Sequence, residues 1–368
     1  MRDEDYMRMA LQLAEKGCGW VSPNPMVGAV IVKDGRVIGQ GYHERYGGPH
    51  AERNALASCT ESPDGATMYV TLEPCCHVGK QPPCTEAILE AGIQKVVVGS
   101  ADPNPLVCGK GIQQLREHGM HVVEGVLQEA CDRINEAFFH YIRTGRPLVV
   151  MKYAMTMDGK IAAYTGDSKW ITGEEARKHV HQQRHQAGAI LVGIGTVLAD
   201  DPLLTCRIPG GKNPIRVVCD SKLRTPVTAQ VVTTARQTLT ILATCCTDSK
   251  RQRVYQEAGC RLWVMEEKDG RVDLRKLMER MGQEQIDRVL LEGGGVFNWA
   301  ALEAGVVDKV QAYLAPKLLG GREAKTPVEG DGIAALAQAI SLKNSTVIQL
   351  GEDFLIESEV KPNVYRDC

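Results

Sequence analysis

The chain has 368 residues, which exceeds the length at which one hydrophobic core usually stops growing, so two domains are expected. Its 43 Lys and Arg residues nearly balance its 45 Asp and Glu residues, and the formal net charge of −2 argues against a general nucleic-acid or anionic-membrane binder. The 13 cysteines are scattered along the chain, so a small disulfide-rich domain is excluded, and we interpret most of them as buried apolar residues with a few metal ligands.

The first part of the chain alternates between helical and extended patterns. Residues 3–16 place apolar side chains at helical spacing, and two apolar runs flank Asp34-Gly35, a strong β-hairpin signal. Further helices are predicted from about residues 50, 85 and 110 and over 128–143, with strands between them at 66–72, 95–100 and 121–127. This alternation predicts an α/β domain with helices packed on a sheet.

A domain boundary is predicted in the segment TGRP, because Gly145 and Pro147 interrupt regular structure there. The apolar strand PLVVMKYAM opens a second alternating region. Helices are predicted over 173–184 and from about 296, and strands at 189–193, 215–220, 238–244, 287–293 and 309–316. Continuous apolar strands indicate a sheet covered on both faces. We therefore expect two α/β domains, residues 1–145 and 146–368.

Neither a secretory signal nor a membrane span is predicted. The opening MRDEDYM lacks a basic and an apolar region, and the longest apolar stretch, near residues 189–199, is too short to span a bilayer. The expectation is a soluble cytoplasmic protein.

The first domain carries a set of potential zinc ligands. His50 and Cys84 lie at predicted helix starts, and Cys75 follows a predicted strand. One imidazole and two thiolates suit zinc and leave the fourth tetrahedral position to a water molecule, whose pKa the metal lowers towards neutrality. Glu52 is placed to carry a proton between that water and a leaving ammonia. The order H-x-E, then P-C, is a signature of zinc deaminases, but the second cysteine here follows nine residues after the first instead of three.

A closed structural zinc site is the alternative for this cluster. Cys75, Cys76, His77 and Cys84 would then supply all four ligands. The neighbouring Glu52 argues against it, because a structural site needs no acid/base group.

The long cysteine spacing and several neighbouring motifs point to one family. LEPCCHVGKQPPC, SPNPMVGAVIV, GGPHAERNAL and DPNPLVCGKGI resemble motifs of the bifunctional riboflavin-biosynthesis deaminase/reductase family, and MKYAMTMDGKIA, SKWITGEEAR, VGIGTVLADDPLLTCR and LLEGGGVFNWA resemble its reductase half. The resemblance covers nearly the whole chain. It departs at Cys76, where serine is usual, and at Gln81, where threonine is usual.

The resemblance implies a cytidine-deaminase-like three-layer domain followed by a dihydrofolate-reductase-like domain. It makes His50, Cys75 and Cys84 the zinc ligands and Glu52 the proton donor. Two Asn-Pro loops are stiff enough to present an amide in a fixed direction. The resemblance places four residues around the base and ribose of the deaminase substrate: Asn24, His43, Asp102 and Asn104. It makes Lys80 a candidate for binding the substrate phosphate.

Three glycines, Gly293 to Gly295, stand where a strand becomes a helix, a setting that admits a phosphate to the helix N-terminus. VGIGTVLADDP lacks the third glycine and the acidic residue of a Rossmann fingerprint, so that fold is not assigned. The resemblance implies NADPH beside Ala154, Trp170, Thr196, Asp200, Ser221, Gly294, Gly295, Val296, Phe297 and Asn298. It places the reductase substrate on Ser168, Arg184, Leu204, Arg207 and Glu292, while Lys152 is a candidate for polarising the reacting carbon. The guanidinium forks of Arg184 and Arg207 suit a sugar phosphate.

The expected function is two successive steps of riboflavin biosynthesis on small pyrimidine ribosyl phosphates, carried out by a homo-oligomer without nucleic-acid or membrane partners. One alternative is a nucleoside or nucleic-acid base deaminase with a non-catalytic nucleotide-binding domain, and another is a regulatory module with structural zinc. A nucleic-acid path needs basic and aromatic side chains, and the aromatic content of 5% does not supply them.

Overall fold

A computed structural model of the chain describes residues 1–78, 81–105 and 107–361. The chain divides into two compact units, Met1–Gly145 and Arg146–Cys368. In the described part of the chain, every helix is too short or too polar to traverse a lipid bilayer.

The first unit contains six α-helices, one short 3-10 helix (Glu15–Gly17) and five strands among its described residues. The helices are α1 (Asp3–Ala14), α2 (Ala51–Ala57), α3 (Cys84–Glu90), α4 (Lys110–Glu117), α5 (Gln128–Ile134) and α6 (Glu136–Thr144). The strands are β1 (Gly28–Lys33), β2 (Arg36–Tyr42), β3 (Thr67–Leu72), β4 (Lys95–Ser100) and β5 (His121–Val123).

The strands of the first unit form one mixed sheet in the order β2-β1-β3-β4-β5. β1 is antiparallel to β2 and β3, whereas β3, β4 and β5 run parallel. Side chains alternate between the faces, so Met68 and Val70 pack with α2, α3 and α4, while Tyr69 packs against α1 and α5. Helices on both faces make three layers, as expected.

The predicted helix over 128–143 is interrupted at Asn135. The Asn135 side chain accepts a hydrogen bond from the Met26 backbone N–H (2.7 Å) and donates one to the Met26 carbonyl oxygen (2.9 Å). These contacts tie Asn135, which is buried, to a loop 109 residues away, and its backbone leaves helical geometry between α5 and α6. A prediction from periodicity cannot detect a break that a distant loop imposes.

The second unit is built on a longer sheet. Its strands are β6 (Leu148–Thr156), β7 (Ala189–Gly193), β8 (Ile215–Cys219), β9 (Thr240–Thr244), β10 (Arg261–Val264), β11 (Glu267–Lys268), β12 (Arg271–Val272), β13 (Arg288–Leu291), β14 (Lys309–Ala315), β15 (Leu342–Leu350) and β16 (Asp353–Val360). Its helices are α7 (Glu174–Gln186), α8 (Ile194–Asp200), α9 (Gln230–Thr233), α10 (Ser249–Ala258), α11 (Leu274–Gln283) and α12 (Gly295–Glu303).

Nine of these strands form one sheet in the order β10-β9-β8-β7-β13-β6-β14-β16-β15, and β11 with β12 makes a separate hairpin. The first seven strands in this order, β10, β9, β8, β7, β13, β6 and β14, run parallel. The last two, β16 and β15, are antiparallel to their neighbours and form one edge of the sheet. Apolar clusters lie on both faces, one with α11 and α12 and the other with α8, α9 and α10. The prediction of a sheet covered on both faces is confirmed.

Candidate functional site

The three predicted zinc ligands lie together in the first unit. The Nδ1 atom of His50 is 3.5 Å from Sγ of Cys75 and 3.4 Å from Sγ of Cys84. His50 is the residue before α2, Cys75 lies beyond the end of β3, and Cys84 begins α3. Three elements therefore contribute one ligand atom each, and these atoms all lie within 4.8 Å of one another.

The spacing of these atoms fits zinc. Metal bonds of ~2.3 Å to sulfur and ~2.0 Å to nitrogen at a tetrahedral angle require an N···S distance of about 3.5 Å. The backbone N–H of Cys84 donates to the carbonyl oxygen of Cys75 (3.0 Å) and to its Sγ atom (3.4 Å), which holds the thiols in place. Among the described residues, Cys76 and His77 are not members of this ligand group. Three protein ligands are typical of catalytic zinc sites, in which the fourth position serves the reaction.

The cysteines of this cluster titrate as a pair. The hydrogen bond from the Cys84 thiol, together with His50, lowers the pKa of Cys75 to about 4. The same bond and burial raise the pKa of Cys84, and the contact with Cys75 raises the pKa of His50. The pair therefore retains a proton on Cys84 that a bound metal would displace.

Glu52 lies in the first turn of α2 and is 3% exposed. Burial raises the pKa of its carboxyl group, and the negative charge of Cys75 adds to this effect, while His50 opposes it. A buried carboxyl group beside a reaction centre can hold and return a proton near neutral pH. Its environment suits the predicted role of proton carrier.

Asn24 and His43 form a hydrogen-bonded pair in the first unit. The His43 Nδ1 atom is 3.0 Å from the carbonyl oxygen of Pro49, which only accepts, so Nδ1 carries the proton. The His43 Nε2 atom then accepts from the Asn24 amide nitrogen at 3.2 Å. Burial lowers the pKa of His43 and favours this neutral form. The pair fixes the direction of the Asn24 amide group.

Asp102 lies on the segment after β4, where the charge of Cys75, a predicted zinc ligand, acts on it. Burial, together with the negative charges of Glu73 and Cys75, raises the pKa of Asp102 to about 6. Its Oδ1 atom accepts a hydrogen bond from the Asn104 backbone N–H at 2.8 Å, so the two predicted substrate residues are coupled. Lys80 lies outside the described residues, and its predicted phosphate contact stays a prediction.

A buried ion network joins three of the predicted reductase residues. The Nε and Nη2 atoms of Arg184 donate to the two carboxylate oxygens of Glu292 at 2.8 and 2.9 Å, and Nη1 donates to the carbonyl oxygen of Thr205 at 3.0 Å. The Lys152 Nζ atom lies 4.0 Å from Glu292. Since a guanidinium group has five N–H donors, two remain for a substrate. The two parallel N–H donors of Arg184 that were expected to bind a phosphate thus bind Glu292.

The other predicted substrate residues lie either beside this network or in the cofactor cavity. Arg207 donates from Nε to His181 at 3.2 Å. Leu204 is buried and has a left-handed backbone with φ of 53°. Ser168 lines the cavity described below, with the predicted cofactor residues. Lys152, Arg184 and Glu292 therefore form a directly connected group, and Leu204 and Arg207 flank the Thr205 carbonyl group that Arg184 binds.

A cavity of about 1200 Å³ opens in the second unit where β7 meets α8 and β13 leads into α12. It brings together seven of the predicted cofactor residues: Thr196, Asp200, Ser221, Gly294, Gly295, Val296 and Phe297. The ring of Phe297 packs so closely on Gly193 and Gly293 that a Cβ atom there would lie within 3.0 Å of it. These glycines therefore allow α12 to approach β7, and the N-terminus of α12 faces the cavity.

Three predicted cofactor residues do not line this cavity. Ala154 belongs to β6, and Trp170 is 60% exposed with the Arg177 guanidinium 4.8 Å from its ring centre. Asn298 is fully buried, and its amide nitrogen donates to the Pro327 carbonyl oxygen at 2.8 Å. The Asn298 side chain thus anchors a neighbouring loop.

Two buried residues that support the first site are absent from the sequence-based set. Glu73 accepts four backbone hydrogen bonds from the segment that carries Asp102, and Asn135 holds the loop that carries Asn24. Glu73 directly precedes Pro74-Cys75, and this position next to a predicted metal ligand could have indicated its supporting role. Asn135 lies in a polar helical pattern that gives no indication of such a role.

Both halves of the chain match known protein families. Residues 1–100 match the profile of the cytidine and deoxycytidylate deaminase zinc-binding region, and residues 147–356 match that of the RibD C-terminal domain. These matches confirm a cytidine-deaminase-like first fold and a second fold of the RibD reductase type, which is dihydrofolate-reductase-like.

Relatives resemble the chain over nearly its full length. The riboflavin biosynthesis protein RibD of Actinobacillus pleuropneumoniae is 54% identical, with 97% of this chain and 95% of the relative covered. RibD of Escherichia coli is 40% identical, with 96% and 98% covered.

Two solved structures share the whole fold. Acinetobacter baumannii RibD has a TM-score of 0.87 and 37% identity, covering 98% of this chain and 99% of the other. The Thermotoga maritima diaminohydroxyphosphoribosylaminopyrimidine deaminase/5-amino-6-(5-phosphoribosylamino)uracil reductase has a TM-score of 0.87 and 38% identity, with the same coverage. Because both halves match together, a deaminase with an inert appendage loses its support. The chain belongs to the RibD family of bifunctional deaminase and reductase proteins of riboflavin biosynthesis.

Proposed function

We propose that residues 1–145 deaminate 2,5-diamino-6-ribosylamino-4(3H)-pyrimidinone 5′-phosphate and that residues 146–368 then reduce the ribose of 5-amino-6-(5-phosphoribosylamino)uracil to a ribityl chain with NADPH. The observation that carries this proposal is the cluster of His50, Cys75 and Cys84, with Glu52 buried beside it. The family match over both units supports the pairing of the two reactions.

In the deaminase unit, His50, Cys75 and Cys84 would hold the zinc ion, which when bound supplies a Lewis acid that activates water. Asn24, fixed by His43, and the coupled pair Asp102 and Asn104 bind and orient the pyrimidine and ribose. Water adds to the ring carbon, the exocyclic C–N bond breaks, and Glu52 transfers the proton that lets the amine leave as ammonia.

In the reductase unit, NADPH supplies the hydride when bound, and the N-terminal N–H groups of α12 favour its pyrophosphate. The Glu292 carboxylate holds Arg184 and Lys152 in a fixed arrangement. Burial lowers the pKa of Lys152, although Glu292 opposes that shift. Lys152 is therefore placed to polarise the C=O or C=N bond whose carbon receives the hydride and to donate a proton to the oxygen or nitrogen of that bond.

The preference for NADPH over NADH is supported by basic residues along the cavity. Ser221 accepts a hydrogen bond from the Val272 backbone N–H at 3.0 Å, which fixes its hydroxyl oxygen next to the β11–β12 hairpin. Lys222, Arg224, Lys268 and Arg271 line the same cavity. A 2′-phosphate is the part of NADPH that such a group of cations would recognise.

We also propose a cytoplasmic homo-oligomer. The twelve described cysteines form no disulfides, as is usual in a reducing compartment. The edge strand β15 exposes Val347 and Ile348, by 65% and 48%, and the unpaired backbone groups of an exposed edge strand allow pairing with a second copy. Light scattering after size exclusion should give at least twice the chain mass of 40.2 kDa; a monomer at that mass would contradict the proposal.

Two separate assays test the proposed reactions. E52Q should release no ammonia from the diaminopyrimidinone substrate, yet it should oxidise NADPH at the wild-type rate when the deaminated substrate is supplied. E86Q, which changes an exposed first-turn glutamate of α3, is the matched control and should retain both activities. Ammonia release by E52Q, or loss of both activities in folded E52Q, would contradict the proposal.

A further inference from the structure

A buried carboxylate, Glu73, joins the segment after β3 to the segment after β4. Its Oε1 atom accepts hydrogen bonds from the backbone N–H groups of Gly111 (3.0 Å) and Ile112 (3.2 Å). Its Oε2 atom accepts from those of Gly109 (3.0 Å) and Asp102 (3.3 Å). Glu73 is 3% exposed, so these four bonds replace its hydration.

An ionised carboxylate is the group that this arrangement requires. It accepts at both oxygens and carries no proton, whereas an amide would turn its NH₂ group towards two N–H donors. The acceptor also lies at the N-terminus of α4, where the helix dipole favours negative charge. A Cβ atom at Gly111 would lie 2.1 Å from the Pro74 carbonyl oxygen, so glycine permits the close approach of the two segments.

The bonds of Glu73 lead directly to the predicted substrate residues. Glu73 holds the Asp102 backbone, and the Asp102 carboxylate holds the Asn104 backbone at 2.8 Å. Two residues after Glu73, Cys75 supplies a zinc ligand and accepts the backbone N–H of Cys84. One carboxylate thus connects the substrate-binding segment to the metal-binding segment.

We propose that Glu73 is a positioning residue of the deaminase reaction, which sets Asp102 and Asn104 at the distance from the zinc ligands that the pyrimidine ring requires. This proposal rests on the proposed function of the first unit. Both oxygens of Glu73 bind backbone N–H groups, and Glu73 is not a member of the potential metal-binding group, so its loss should displace Asp102 and Asn104 while His50, Cys75 and Cys84 remain in place.

The test is the deaminase kinetics of the full-length zinc-loaded E73Q variant. The KM for the diaminopyrimidinone substrate should rise by about ten-fold or more, because two buried N–H donors lose their acceptor, whereas kcat should fall by a smaller factor. Zinc content and reductase activity should equal those of the wild type. D3N is the matched control: Asp3 is a partly buried carboxylate that binds Lys95 and Tyr69, and its change to an amide should leave KM unaltered.

A mutant cycle separates positioning from general destabilisation. If Glu73 acts through Asp102 and Asn104, adding E73Q to D102A/N104A should leave the KM nearly unchanged; multiplication of the two effects would overturn the proposal. E73D replaces E73Q in this test if E73Q does not yield folded protein. It keeps the negative charge, but its shorter side chain moves both oxygens away from the N–H donors, so it should also raise the KM. An unchanged KM in either folded variant, with an active wild type, overturns this inference alone. A wild type that releases no ammonia overturns the proposed function instead.

Discussion

Arg184 and Glu292 lie 108 residues apart in the sequence and form a two-pronged ion pair, with N···O distances of 2.8 and 2.9 Å. Both side chains are 12% exposed. Burial alone would raise the pKa of Glu292, but the positive charges of Arg184 and Lys152 outweigh it and lower that pKa to about 2. Glu292 is a fixed anion that orients the two cations of the proposed reductase site, Arg184 and Lys152.

The stability of the second unit should fall in acid because of Glu292. A carboxyl group with a lowered folded-state pKa stabilises the fold above its ordinary pKa of 4.5, and this contribution is lost as pH falls towards about 2. The shift corresponds to roughly 3 kcal/mol. The difference in unfolding free energy between wild type and E292Q, from denaturant titrations, should therefore shrink from pH 6 to pH 2.

The control for that titration is E257Q, which breaks an exposed Arg253–Glu257 pair and should change stability little at any pH. A difference between wild type and E292Q that does not vary with pH would show that the charge of Glu292 contributes nothing.

Replacing Asn135 by Ala should destabilise the first unit by about 1–3 kcal/mol, because the buried N–H and carbonyl groups of Met26 lose their partners. Thermal unfolding of the zinc-loaded protein measures this change. The reductase rate should stay at its wild-type value, as an internal control. An unchanged transition temperature would contradict the prediction and would mean that water molecules bind the Met26 backbone groups as well as the Asn135 side chain does.

Cofactor choice should depend on the basic residues near Ser221. In K222A/R271A, the KM for NADPH should rise by roughly ten-fold to a hundred-fold, because the variant loses charge-assisted hydrogen bonds to the 2′-phosphate. The KM for NADH should stay constant, because NADH lacks that phosphate. K276A removes an exposed charge on α11 that does not line the cavity and should leave both values unchanged. Parallel increases for both nucleotides would argue against recognition of the 2′-phosphate.

Much of the fold follows from local sequence patterns. Alternating apolar residues around Asp34-Gly35 predict the β1–β2 hairpin, and Gly28–Lys33 and Arg36–Tyr42 confirm it. Nine elements of the second unit fall outside the prediction: α8, α9, α10, α11, β10, β11, β12, β15 and β16. Helix α11 is amphipathic and is capped by Asp273, so its signal was present in the sequence. Strand β15 is exposed along most of its length and lacks the apolar pattern of a core strand.

The candidate zinc ligands were predictable because histidine and cysteine at that spacing have few uses other than binding a metal. His50, Cys75 and Cys84 meet as predicted, whereas the supporting roles of Glu73 and Asn135 depend on backbone groups that folding brings near. The ion pair between Arg184 and Glu292 was not predicted either. Each of the two residues was assigned to the substrate from the sequence, and no local pattern indicates that they bind each other. Contacts between distant segments are what local patterns cannot supply.

The most direct measurement is the metal content of the purified chain, taken together with both activities before and after chelation. We expect one zinc ion per chain, loss of ammonia release when zinc is removed, recovery when it is returned, and unchanged NADPH oxidation on the deaminated substrate throughout. Ammonia release that persists in zinc-free protein would contradict a zinc-dependent deaminase.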